Sequence, residues 1–193
     1  GNTLQTWREA VFNNTIRIVG ILGSIAYVAG MFFAYKEISL GFFLAYTAAY
    51  LWVMATAFIK RIPTVYRAYS FIIILFSLGL LSSFEKASPG DGRVWLILSA
   101  VLAVIFLGQR AGFGFTIGAT LAWIIVGYLF LSSSLTPPDV DGFTLGHWAG
   151  TTITFFVSGI LIIQTMSALL SNLNKTIQES RLLAQKAEDQ SRE

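Results

Sequence analysis

The sequence predicts an all-α integral membrane protein, a bundle of six transmembrane helices whose last helix extends into the cytoplasm. Three observations support this fold class. The mean hydropathy is +0.68 and only 12% of the residues are charged, whereas soluble domains carry about 25% charged residues. Apolar runs recur along the chain with roughly the twenty residues that cross a hydrocarbon layer of about 30 Å. The four prolines lie between these runs, and few segments show the alternation of barrel strands.

The first three predicted spans each end at charged or turn-forming residues. They cover residues 15–35, 38–59 and 68–84. Lys36 and Glu37 follow the first span, Lys60 and Arg61 follow the second, and the polar segment 85–93 follows the third. Charged pairs and Pro-Gly turns are disfavoured in hydrocarbon, so we expect these segments at the membrane surface.

The last three predicted spans cover residues 94–107, 111–131 and 147–170. The fourth is short, about 21 Å long at 1.5 Å per residue. Joining it to the fifth would place 38 residues in one crossing, which tilting does not accommodate. We therefore predict two helices with a tight turn at Arg110. A five-span bundle, or a fourth segment that re-enters the membrane, is the alternative.

Basic residues are distributed unequally between the two predicted sides. When the loops are assigned alternately, ten Lys and Arg side chains fall on the side of the two termini and three on the other. The positive-inside rule then places both termini in the cytoplasm. This gives a cytoplasmic N-terminal segment at 1–14, a transmembrane domain at 15–170 and a cytoplasmic helix at 171–193.

The predicted membrane interior lacks the residues of most catalytic and transport sites. No Asp, Glu, Lys or His lies well inside a span, so the proton relays of pumps and transporters have no counterpart. The chain has no cysteine and only one histidine, His147. We therefore expect no catalytic residues, no metal site and no cofactor, and the lipid bilayer as the main partner, with no nucleic-acid binding.

Four residues are candidates for detecting a ligand or stimulus. Trp52 and Trp123 lie away from the interfacial aromatic belts, so they either pack inside the bundle or form the wall of a pocket for a small hydrophobic ligand. His147 and Trp148 lie at the outer end of the last span. His147 is either a pH-responsive switch, since histidine titrates near pH 6.5, or an interfacial residue that begins the helix.

The last span carries the candidate residues for transmitting a change to the cytoplasm. Gln164 lies deep in the span, where we expect it to bond to a Ser or Thr of a neighbouring helix. Beyond it, Leu170, Leu173, Ile177 and Ala184 follow heptad spacing. This pattern predicts the start of a two-stranded coiled coil, with a weak seam because small residues bury little apolar surface. A solvated terminal helix is the alternative.

The hydrophobic bundle, the turn at 107–112 and the last span continuing into 173–183 resemble the multi-pass membrane sensory domains of bacterial histidine kinases and diguanylate cyclases. The resemblance implies a homodimeric sensor in the bacterial cytoplasmic membrane. Its last helix would act on a cytoplasmic output domain beyond residue 193, in two-component signalling. This sequence contains no phosphoacceptor module and no cyclase signature, so we expect no enzyme activity from it, although the full-length protein could be a histidine kinase.

Two other functions are compatible with the sequence. The first is a small-solute or lipid transporter, or a membrane subunit of one. The second is a membrane enzyme that acts on lipid, but such an enzyme needs a nucleophile, a base or a metal grouped at one depth. The sequence offers only scattered hydroxyl groups, and we therefore place this function last.

Overall fold

The computed structural model describes residues 3–34, 40–59, 61–86, 91–132 and 145–190. These residues form six α-helices, with no strand among them. The helices are α1 (Thr3–Ala34), α2 (Leu40–Phe58), α3 (Thr64–Lys86), α4 (Asp91–Leu107), α5 (Gln109–Leu131) and α6 (Leu145–Gln190).

Five of these helices contain segments long and apolar enough to cross a membrane. The segments are Glu9–Ala29, Leu40–Phe58, Thr64–Phe84, Gln109–Leu131 and Trp148–Lys186. The all-helical membrane fold is therefore confirmed. Helix α4 has 17 residues and falls below the length of a full span, in line with the short fourth segment predicted from sequence.

Successive helices of the bundle run in opposite directions. Between α5 and α6, Gly127 lies against Trp148, whereas Thr116, earlier in α5, lies against Gly159, later in α6. Helices α4 and α5 are antiparallel in the same way. There Arg93 lies over the ring of Trp123, whereas Val104 lies against Gly112. The bundle therefore has two distinct ends.

The two ends differ in chemistry. One end, here the basic end, carries the α2–α3 turn, the α4–α5 turn and the extension of α6, and its basic side chains include Arg61, Arg67, Arg110 and Lys175. The opposite end, here the tryptophan end, carries Trp123 and Trp148 packed on one another. The N-terminal part of α1 belongs to the basic end, because Phe12 packs edge-to-face on Phe106 with ring centroids 5.1 Å apart.

Helix α4 is the central element of the bundle. It contacts α1, α3, α5 and α6, and most of its described side chains are buried or partly buried. The buried residues include Leu96, Ser99, Ala100, Ala103 and Val104. Its exposed side chains, Val94, Trp95 and Leu98, lie in its first half, so the neighbouring helices cover the second half and α4 has less need to match the bilayer thickness.

The sequence predicted a turn between α4 and α5 at Arg110, but the turn lies at Gly108. Gly108 has a φ of 105°, a conformation that glycine adopts without steric cost. Its amide nitrogen donates to the carbonyls of Ala103 at 3.0 Å and Val104 at 3.1 Å, which satisfies the end of α4. Arg110 lies in the first turn of α5 with its side chain exposed.

Helix α6 is one continuous helix of 46 residues, about 69 Å long at 1.5 Å per residue. Its first half packs into the bundle through Trp148, Phe155 and Ile163. Beyond Leu170 the described side chains are exposed, except for two that are partly buried, Asn174 and Ile177. The predicted continuity through Leu170 is confirmed, and residues 191–193 of the predicted cytoplasmic helix lie outside the described part.

Candidate functional site

Two of the predicted sensing residues, Trp123 of α5 and Trp148 of α6, form the centre of the tryptophan end. Their rings stack with centroids 4.5 Å apart and planes 12° from parallel. Trp123 is 1% exposed and Trp148 is 6% exposed. Phe155, two turns further along α6, has its ring centroid 6.4 Å from that of Trp123. The stack therefore fixes the start of α6 against α5.

A glycine makes room for this stack. Gly127 lies one turn after Trp123 on α5, and a Cβ atom built on it would overlap the indole nitrogen of Trp148. Any larger residue at this position would push Trp148 away from α5. The local sequence of α5 thus combines a large ring at Trp123 with a recess at Gly127, spaced so that both face α6.

A cation completes the cluster. The guanidinium carbon of Arg93, near the start of α4, lies 5.6 Å from the ring centroid of Trp123, within the range of a cation–π interaction. We call Arg93, Trp123, Trp148 and Phe155 the aromatic cluster. It joins α4, α5 and α6, and within the described residues the buried indole N–H of Trp123 has no hydrogen-bond partner.

The other two predicted sensing residues are not part of this cluster as described. Trp52 belongs to α2, is 60% exposed, and donates a 2.7 Å hydrogen bond to Ser70 of α3. It lines a cavity of about 310 Å³ together with Tyr66 and Arg67. His147 lies in helix α6, but its side chain is outside the described residues. The four residues therefore do not converge on one site.

The basic end contains a buried cation that the sequence analysis had counted only among the ten basic residues on the side of the two termini. Arg67 of α3 is 4% exposed and donates to three oxygens. Its Nε bonds the carbonyl of Thr56 at 2.8 Å, one terminal nitrogen bonds the carbonyl of Ala57 at 3.2 Å, and the other bonds Oδ1 of Asn13 at 3.0 Å. In the sequence, the one feature that could have indicated this role is the position of Arg67 in the first turn of α3, shortly after the end of α2.

A second cavity, of about 410 Å³, lies between α1 and α2. Its walls are mostly apolar, with Arg17 and Ser24 as the polar contributors and Met54 and Phe58 on the side of α2. Ser24 also shares a 2.9 Å hydrogen bond with the hydroxyl of Tyr50. An apolar groove with a cation suits an acyl chain or another amphiphile.

A model of a known protein family matches residues 6–173, which include helical residues from all six helices. The chain belongs to the MASE11 family. MASE11 is a family of membrane-associated sensory domains, so this part of the predicted resemblance is confirmed, and the protein is a membrane sensory domain. No curated protein and no solved structure matched the chain.

The predicted transmission residues of this MASE11 domain lie along α6 in two different settings. Leu170 packs against a buried cluster of Ala100, Val104 and Ile163. Leu173 is 39% exposed, Ile177 is partly buried and Ala184 is exposed.

Among the residues that the structure describes, Gln164 does not make the hydrogen bond to a neighbouring helix that the sequence predicted. Its side chain is exposed on the surface of the bundle, and the described part of the structure shows no hydrogen bond to its amide. The bond to a neighbouring helix that the sequence suggested is therefore absent within the described chain. The physical reason is the phase of α6, because Ile163 takes the buried position beside it.

The described residues of the MASE11 domain contain no group of three or more His, Asp or Glu side chains that could hold a metal ion. The chemistry available in the aromatic cluster and the two cavities is binding chemistry. Aromatic faces, a guanidinium group and apolar walls recognise ligands by stacking, charge and burial.

Proposed function

We propose that this MASE11 domain detects a signal at or within the membrane and transmits it through α6 to a cytoplasmic histidine kinase output domain. One observation carries the proposal. A single helix bears Trp148, buried in the aromatic cluster, and the heptad positions that begin at Leu173 beyond the bundle. A movement imposed at the tryptophan end therefore has a rigid route to the basic end.

The aromatic cluster is the proposed input. A ligand shifts α6 only if it binds two arrangements of the bundle with different affinities. The stack of Trp148 on Trp123 and the contact of Arg93 with Trp123 provide an arrangement that a small hydrophobic molecule would alter by competing for the ring faces. His147, next to Trp148 in sequence, remains a proposed pH-sensitive element of the same end.

The proposed orientation places the basic end in the cytoplasm of a bacterial cell and the tryptophan end outside. Arg61, Arg110 and Lys175 lie at the basic end, and positive charge is retained on the cytoplasmic side during membrane insertion. The output domain would then follow α6 on that side. We further propose a homodimer, because exit helices with heptad spacing pair with one another.

The proposal is tested by changing the phase of α6. The chain is fused through α6 to a histidine kinase output domain, and one to seven alanines are inserted after Gln185. Each alanine rotates the downstream helix by about 100°, so one or two should change autophosphorylation several-fold, whereas seven, close to two full turns, should restore it. Kinase activity that declines steadily with insert length would contradict transmission by helix rotation.

A lipid or small-solute transporter is the second candidate. The cavity between α1 and α2, with Arg17 beside an apolar groove, favours it. The two functions are separated by a flux assay in liposomes that hold fluorescent phospholipid or a small solute. A sensor moves neither, whereas transport of either one above protein-free liposomes would favour the second candidate.

A further inference from the structure

The side chain of Gln164 is placed where lipid would surround it. It follows Trp148 by sixteen residues and precedes Lys175, the next charged residue, by eleven. At 1.5 Å per residue these separations are about 24 Å and 17 Å, which puts Gln164 inside the hydrocarbon layer. Helical side chains lean towards the N-terminus, so the amide points away from the near boundary at the basic end.

An exposed amide in hydrocarbon is costly unless it finds a hydrogen-bond partner. The exposed threonine hydroxyls on α6 satisfy this requirement by donating to backbone carbonyls of their own helix. Thr154 bonds the carbonyl of Gly150 at 2.9 Å, and Thr165 bonds that of Leu161 at 2.9 Å. Acyl chains offer Gln164 neither donor nor acceptor, and no residue in the described part of its own chain bonds it, so we expect its partner to come from another polypeptide.

Other amides near the membrane do not share this situation. Asn13 bonds Arg67, and Asn14 and Gln109 lie at the basic end, within reach of headgroups and water. Gln164 also lies on a continuous exposed stripe of α6 whose other members are apolar or small: Ile153, Val157, Leu161 and Ala168. Such a stripe lets two helices pack through apolar side chains around one polar residue that bonds across the contact.

We propose that Gln164 pairs with the partner subunit's Gln164 in a symmetric dimer, and this inference rests on the proposed homodimer. A carboxamide is both donor and acceptor. Two copies related by a two-fold axis along the membrane normal present it at the same depth, so each satisfies the other. A second copy of this chain is therefore a sufficient partner without any further component.

The proposed contact lies opposite the heptad seam of the exit helix. Nine residues separate Gln164 from Leu173, and at 100° per residue they point about 180° apart. A straight α6 therefore pairs through the Gln164 stripe or through the Leu173 seam, but not through both at once. The two pairings are the two states that a signal would select between.

Cysteine cross-linking tests the contact, because the chain has no cysteine of its own. Leu161→Cys and Ala168→Cys flank Gln164 on the stripe, whereas Phe156→Cys is exposed on a side of α6 that lies about 80° from Gln164 and about 100° from Leu173. Oxidation of the full-length protein in native membranes should give disulfide-linked dimers with the first two variants and not with the third. Adding Gln164→Leu to Leu161→Cys should weaken dimer association about five- to thirty-fold, and Gln164→Asn should restore part of it.

Three results would overturn the inference. The first is equal cross-linking at Phe156, and the second is cross-linking that Gln164→Leu leaves unchanged. The third is a dimer, seen by single-molecule photobleaching, that neither stripe cysteine captures. In that case the contact is elsewhere while the homodimer stands. A monomer by photobleaching would contradict both the Gln164 contact and the proposed homodimer. The phase dependence of kinase output would still test transmission by α6.

Discussion

Arg67 of α3 donates a 2.8 Å hydrogen bond from its Nε to the carbonyl of Thr56 in the last turn of α2. The last carbonyls of a helix have no partner within that helix. Arg67 satisfies two of them, at Thr56 and Ala57, and its positive charge is favourable at the negative end of the helix dipole. Because it also bonds Asn13, this one side chain joins α1, α2 and α3 at the basic end.

Replacing Arg67 should destabilise the bundle. Arg67→Met leaves two carbonyls and the Asn13 amide without their donor, and we expect the free energy of unfolding to fall by about 2–4 kcal/mol. Unfolding in mixed micelles, followed by circular dichroism, measures the loss. Arg61→Met is the matched control, because Arg61 is exposed in the adjacent turn. Equal stability of the two variants would show that the cap at Arg67 contributes little.

Gly127→Ala should disrupt the aromatic cluster. The added methyl group would overlap the indole of Trp148, and relieving such an overlap costs about 1–3 kcal/mol. The near-ultraviolet circular dichroism of the stacked indoles should weaken. Gly150→Ala is the control, since a Cβ at Gly150 meets nothing within 4 Å. An unchanged spectrum in Gly127→Ala would mean that Trp148 does not depend on this recess.

The fold could be predicted from sequence to the extent that it depends on segment length. Apolar runs of about twenty residues specify membrane helices whatever their neighbours, and the structure has helices in each predicted span. The partners of each helix face could not be predicted in this way. In a membrane both the buried and the lipid-facing sides are apolar, so periodicity does not show which side is inside.

The glycines illustrate this limit. The spacing of Gly114 and Gly118 is typical of close helix packing, but Gly114 faces open space. The close approaches on that helix are instead at Gly112, against Val104, and at Gly127, against Trp148. The candidate site shows the same limit, because Trp123 and Trp148 are 25 residues apart in sequence and become neighbours only when α5 packs against α6.

Gly108→Ala should strain the turn between α4 and α5. Its φ of 105° is disfavoured for any residue with a Cβ, and we expect a loss of stability of about 1–2 kcal/mol. Gly114→Ala serves as the comparison, because it adds the same methyl group to a helical, exposed position where alanine is the better helix former. Thermal unfolding in detergent should rank Gly108→Ala below both wild type and Gly114→Ala. The reverse ranking would contradict a strained turn.

Ser171→Pro should separate sensing from transmission. Ser171 follows Leu170, which packs in the bundle, and its side chain is exposed. Proline removes the hydrogen bond from this residue to the carbonyl four residues earlier and kinks the helix at a cost of about 3 kcal/mol. The aromatic cluster lies about five turns away and should keep its near-ultraviolet spectrum.

In the kinase fusion, however, the effect of alanine inserts on autophosphorylation should lose its dependence on helix phase in Ser171→Pro, whereas Ser171→Ala should keep it. If the proline variant retained that dependence, the signal would have to reach the output domain by a route other than an unbroken α6.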